Sequence, residues 1–206
     1  MTTLAELRTK VSRDLRDPLN SVFLPVYVDD LINSGIEEIS RVYPREVIDS
    51  IVPVVNQTAY PTECTTAFRA ELWRDGKLYS TLTAQDSDIP GSGWDLWGGE
   101  FILTDGSIRA MLPARDSIRV WGYADRAQLL ADAQVAELDV PGEWGVRHYS
   151  RATAFQLMQS DRALFKQWQA MSQATDLSPN QLTQMVGFFT SEWDRTRNYL
   201  RKLRRV

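Results

Sequence analysis

The one histidine, His148, and the one cysteine, Cys64, bound the chemistry this sequence can do. A single cysteine excludes an internal disulfide framework and a cysteine-rich zinc site. A single histidine excludes a multi-histidine metal centre. Any histidine-dependent triad would have to use His148, which stands between Arg147 and Tyr149 at the start of an expected helix. No nucleophile motif accompanies it, so helix packing competes with catalysis there. Cys64 follows Pro61-Thr62-Glu63 in an expected loop, where a half-buried residue competes with a reactive thiol. Carboxylates cluster at Asp29-Asp30, Glu37-Glu38 and Asp86/Asp88, without the spacing of a calcium loop. They fit solvated helix faces and loop acids. There is no P-loop, dinucleotide fingerprint, HExxH or GxSxG. The sequence therefore leads to no catalytic residue, no metal and no cofactor, and the chain is expected not to be an enzyme.

What remains is surface. The 206 residues carry a net charge of −4, which hides an asymmetry. All 27 acidic residues lie before position 195, with 17 of the 23 Lys and Arg, so residues 1–194 carry −10. The last twelve carry +6, from Arg195, Arg197, Arg201, Lys202, Arg204 and Arg205, with Tyr199, Leu200 and Leu203 interleaved. The helix macrodipole accounts for one or two of these cations. The remainder would touch phosphates or an anionic membrane, dock into an acidic protein groove with the apolar members as anchors, or simply form a solvated helix end. Seven tryptophans are many for this length. Core filling is the plain reading. Trp94 and Trp97, in a Gly-rich stretch, fit it less well and are candidate loop anchors or interface residues.

The elements that must position these residues follow from periodicity. Thr3 and Glu6 form a capping box, followed by Leu4, Leu7, Val11 and Leu15 on one helical face, and Asp17-Pro18 stops the helix. A second helix is predicted over Pro25 to Val42, with a stripe of Val28, Leu31, Ile32, Ile36, Ile39 and Val42. Gly35 inside it suggests a close helix crossing. From about Val47 the pattern shifts to short β-branched runs. The strands expected are Ile48 to Val55, on an edge because of Pro53, and a hairpin turning at Asp75-Gly76. A second hairpin turning at Asp105-Gly106 and a strand over Ser117 to Tyr123 complete about six, with 84–100 as connection. A short helix over Ala127 to Glu137 and a long one from Pro141 to about Ala174 come next. A second capping box, Ser178-Pro179-Asn180-Gln181, opens a last helix running almost to Val206. Along it Leu182, Val186, Phe189, Trp193, Thr196, Leu200 and Leu203 make a heptad seam. A heptad stripe ending in a basic tip suggests a helix that leaves the body. The fold class is α+β. A helical domain of residues 1–46 and 125–206 receives an inserted β-domain, 47–124, built as a small antiparallel sandwich or barrel. No run of apolar residues is long enough to span a membrane. No signal peptide is recognisable, so the chain is expected in the cytosol when made.

Several segments together resemble the head-to-tail adaptor, or connector, proteins of tailed bacteriophages and gene transfer agents. They are LAELRTKVSRDLRD, DDLINSGIEEISRVYPRE, the AYP at 59–61 with the WRDGK hairpin, VPGEWGVRHYSRATAFQLM and the basic last helix. The resemblance spans most of the chain and implies a structural protein of the virion neck, made in the host cytoplasm. It implies a homo-oligomeric ring, twelve copies expected, below the portal protein. Such a ring extends the channel for double-stranded DNA and offers a surface to the next neck or tail component. By position, Trp193 to Arg205 would face the portal. Tyr199, Leu200 and Leu203 would be anchors, with Arg195, Arg201, Lys202, Arg204 and Arg205 paired to portal acids. The β-insertion, which the smallest members lack, would meet the next neck or tail protein through Trp94 and Trp97. The alternatives are another neck ring protein, a head-completion protein or tail terminator, or a nucleic-acid-binding regulator that uses the basic helix.

Overall fold

The computed structural model describes residues 2–54, 57–84, 93–104, 116–172, 174 and 177–204. The chain divides into a helical unit, 1–43 with 126–206, and a β-unit, 44–125. Five helices and the antiparallel sheets lie among the described residues, a mixed α+β fold with a long C-terminal helix.

In the helical unit, α1 (Leu4–Asp14) starts at the Thr3/Glu6 capping box, with Thr3 N–H donating to Glu6 Oε2 at 2.8 Å. Leu4, Leu7, Val11 and Leu15 are buried. The Asp17 carboxylate shapes the loop that follows, accepting from Ser21 N and Oγ, Val22 N and Phe23 N at 2.7–2.9 Å. Burial alone would raise its pKa. The Phe23, Ser21 and Val22 donors together outweigh that and hold it below the ordinary carboxylate value. Helix α2 (Pro25–Val42) buries the expected stripe. Its Gly35 lies against α3 (Val140–Ser160), where an added Cβ would meet Val146 Cγ1 at 3.2 Å. Backbone contact at this crossing offsets the roughly 1 kcal/mol helix penalty of glycine.

Two expectations fail in this unit. Residues 127–137 are not helical. Val135–Ala136 (β9) pairs with Thr2–Thr3 (β1), and the Asn33 amide clamps Leu129 by donating to its carbonyl at 3.0 Å and accepting from its N–H at 2.8 Å. Leu129 is buried and Leu130 exposed, so there is no two-residue stripe to favour a helix. The long segment from Pro141 also breaks, at Asp161. That residue adopts extended backbone (φ −112°, ψ 100°) and caps α4 (Arg162–Met171) by accepting from Ala163 N and Leu164 N. Trp168 of α4 is fully buried and donates its indole N–H to Leu15 O at 2.8 Å.

The last helix, α5 (Pro179–Leu203), opens on its Ser178/Gln181 capping box and extends about 37 Å at 1.5 Å per residue. It runs antiparallel to α3. The pairs His148 with Thr196, Arg151 with Glu192, Gln156 with Thr190 and Gln159 with Thr183 mark the register. The heptad seam therefore closes the bundle of its own chain, and the helix does not leave the body.

The β-unit is two antiparallel sheets sharing one core. The first has order β2 (Arg45–Ile51), β8 (Asp116–Ala124), β4 (Thr66–Arg74), β5 (Lys77–Leu82). The second has order β3 (Ala59–Pro61), β7 (Glu100–Leu103), β6 (Trp94–Trp97). Ile51, Ala70, Leu72, Ile118 and Val120 from the first are buried with Tyr60, Trp94, Phe101 and Leu103 from the second. β2 is an edge strand and ends before Pro53, as proline requires. Asp75 and Gly76, at φ 49° and 74°, make the expected tight turn. The 84–100 stretch departs from its reading as connection. Within it, Trp94–Trp97 is a strand that turns through Gly98 and Gly99 (φ 64° and 78°) into β7. The proposed Asp105-Gly106 turn lies outside the described residues.

Candidate functional site

Ion pairs fix the helices that carry the basic tip. Arg8 grips Asp29 through both oxygens at 2.7 Å and also reaches Asp132, tying α1 to α2 and holding its guanidinium firmly protonated. Arg147 grips Asp14 at 2.8 and 2.9 Å, joining α3 to α1. Arg151 pairs with Glu192, joining α3 to α5.

The structure sorts the residues assigned to the C-terminal element into two groups. Trp193 and Leu200 are buried, Trp193 meeting Tyr149 edge-on at a centroid distance of 5.3 Å. Leu203 is half-buried against the same core. Leu200 and Leu203, expected as partner anchors, and Trp193, expected in the portal-facing segment, are bundle residues, because the seam that aligns them faces α3. Arg195, Tyr199, Arg201, Lys202 and Arg204 are exposed. Arg195, Arg201 and Lys202 make no ion pair among the described residues, and Arg197 pairs with Asp194 at 2.8 Å. Arg205 lies outside the described residues. The site is therefore a rigidly presented cationic surface with Tyr199 beside it.

Trp94 and Trp97 also separate. Trp94 is 6% exposed, stacks on Phe101 at 5.6 Å and donates its indole N–H to Leu82 O at 3.0 Å. It is core, which corrects its assignment to a surface loop. Alternation along β6 turns it inward, and Trp97, 79% exposed, remains available at the end of the hairpin.

The residues of possible chemistry have structural partners. His148 Nδ1 lies 2.8 Å from Thr196 Oγ1, a hydroxyl that itself donates to Glu192 O. Burial first, then the neighbouring Arg151 charge, push the imidazole below its ordinary pKa. Cys64 is buried, and burial pushes its thiol up, away from the reactive thiolate. Glu37 and Glu38 pair with Arg41. Asp86 and Asp88 lie outside the described residues. Among the described residues, no three His, Cys, Asp or Glu side chains gather to hold a metal, and no helix is long and apolar enough to cross a membrane.

Two surfaces went unread in the sequence. The outward face of the four-stranded sheet stacks Arg119 over Trp73 at 3.7 Å and Arg69 over Trp121 at 5.2 Å, with Ile48 and Phe68 exposed. Their signal was the strict alternation Ser117, Arg119, Trp121, Tyr123. The second is an apolar groove of about 540 Å³ beside the start of α2, lined by residues of α2, α3, α4 and the loop before α2. No sequence signal marks it, since it forms between elements far apart in the chain.

The chain was compared with protein-family models and with curated proteins, and it matches none of either.

Proposed function

We propose that the chain is a structural adaptor of the virion neck. In this reading it forms a ring below the portal, continues the DNA channel and presents a platform to the next neck or tail component. The observation that carries it is the C-terminal tip. Three exposed cations, Arg201, Lys202 and Arg204, with exposed Tyr199, ride on a helix whose other face is locked into the bundle. A rigid cationic and aromatic surface suits docking on an acidic partner, because little ordering entropy is lost on binding. Trp193, Leu200 and Leu203 serve by holding the helix and not by touching the partner. The acidic body, −10 over residues 1–194, fits a conduit whose wall repels passing phosphates. Trp97 on the β-unit is the exposed aromatic offered to the next component.

The test is charge reversal at Arg201, Lys202 and Arg204 together, each to Glu. This spares the seam, whereas a deletion from residue 195 would remove buried Leu200. The expected result is a folded protein that no longer binds the portal, giving filled heads without tails. Normal tailed particles would overturn the reading. Salt-sensitive duplex binding by the isolated chain, lost in the triple variant, would favour the nucleic-acid regulator instead.

A further inference from the structure

A second, outward stripe runs along α5. Gln184, Phe188, Ser191 and Arg195 follow one another at steps of four, three and four. At 100° per residue they share one face, roughly 140° round the helix from the heptad seam. All four are exposed, Phe188 by 57%. Phe188 spends a large apolar ring on solvent, and Arg195 has no counter-ion among the described residues.

The groove beside α2 has the complementary character. Its floor and walls include Phe23, Tyr27, Leu157 and Leu164, and Asp30 and Asp161 stand on its lining. Tyr27 and Leu157 are 57% and 47% exposed. Asp30 is exposed and has no ion-pair partner among the described residues, so an unpaired acid lies beside an open apolar slot. No residue of α5 lines the groove. Stripe and slot are therefore separate surfaces of one chain, aromatic and basic on one side, apolar and acidic on the other.

We propose that the occupant of the groove is a second copy of this chain. Phe188 of the incoming α5 enters the apolar slot, and Arg195, two turns on, pairs with Asp30. A helix laid into a groove by residues of one face is a common recognition mode. Because the two mating surfaces differ, the joint is head-to-tail, each copy giving its stripe to one neighbour and its groove to the other. Such a joint repeats and closes into a ring when the rotation permits. The inference deepens the ring reading above by naming the surfaces that meet, and leaves the tip beyond Tyr199 for the other partner.

The experiment is sedimentation velocity of the full chain at low and high salt, with thermal melts of each variant as folding controls. Phe188→Ala, Arg195→Glu and Asp30→Arg each change an exposed side chain, so their melting midpoints should match the parent's. Each should weaken association by about tenfold or more. Mixing Arg195→Glu chains with Asp30→Arg chains should restore it, because a reversed stripe then meets a reversed groove in every second joint. Three results would overturn the proposal: a parent that stays monomeric at about 1 mM, single variants that associate like the parent, or a mixture no better than its parts. The tip variants report on portal docking in assembled particles, so the neck reading and this joint fail separately.

Discussion

The tip can present its charges rigidly only if the last turns of α5 are held by the bundle, and Leu200→Ala tests that directly. Leu200 is fully buried, and it sits where three helices converge. A Cβ added to Gly145 of α3 would clash with Ile39 Cδ1 of α2 and lie 3.0 Å from Leu200 Cδ1 of α5. Truncation removes three buried carbons, about 2.5 kcal/mol at the usual transfer value. Closely opposed helices collapse poorly into the space, so the residual cavity raises the total to about 3–4 kcal/mol. With a urea slope of about 2 kcal/mol/M, the midpoint should fall by roughly 1.5–2 M. Far-UV circular dichroism is the signal of choice because it follows the helical unit. Tyr199→Ala, one residue away and half-exposed, should cost less than about 0.5 kcal/mol. If the two variants unfold alike, each within about 1 kcal/mol of the parent, the end of α5 is not fixed and the reasoning for a rigid tip is wrong.

Two further perturbations follow from titratable groups. His148 is favoured as the neutral form by burial, with Arg151 and Arg147 adding to this and Glu192 and Asp14 opposing it. The unfolded chain then binds the extra proton first, so helical-unit stability is full above about pH 6.5 and falls as pH drops below it. His148→Gln should flatten that slope in melts taken across pH 5–7.5, and an unchanged slope would assign it to other groups. Asp17 has a depressed carboxyl pKa, so its contribution is present above its unfolded value and is lost as pH falls through the folded one. Asp17→Ala strands the Val22 and Phe23 N–H groups and should cost about 3 kcal/mol by chemical denaturation; a loss under about 1 kcal/mol would show that the loop finds other acceptors.

Elements with local signatures were legible in the sequence. Both capping boxes, the Pro25–Val42 stripe and the Asp75-Gly76 hairpin depend on residues within a few positions of one another, and each forms where those residues lie. The failures involve distant partners. Residues 127–137 carry two adjacent leucines and helix-forming alanines, yet Asn33, almost a hundred positions away, holds them extended. The break at Asp161 lies inside a run whose apolar periodicity continues, and only its capping role marks it. The hairpin at Gly98-Gly99 is concealed because its strands are four residues long and flanked by polar sequence. The tip was found by composition alone, but a heptad seam does not say whether its partner helix belongs to the same chain. That choice separated Trp193 and Leu200 from Tyr199.

The helical unit is assembled from both ends of the chain, so α1 and α2 bury their stripes only once residues beyond 140 are available. A gap of some eighty residues would ordinarily make closure slow, since non-local contacts must first overcome loop entropy. The β-unit shortens that search. Its ladder pairs Arg45, the first residue of β2, with Ala124, the last of β8, each one position inside the ends of the β-unit. Once the contiguous β-unit has folded, the chain leaves it beside the point where it entered. The effective separation between α2 and the later helices then shrinks from the whole insertion to the short stretch after Ala124. The insertion thereby acts as an entropic clip between α2 and the helices that follow it.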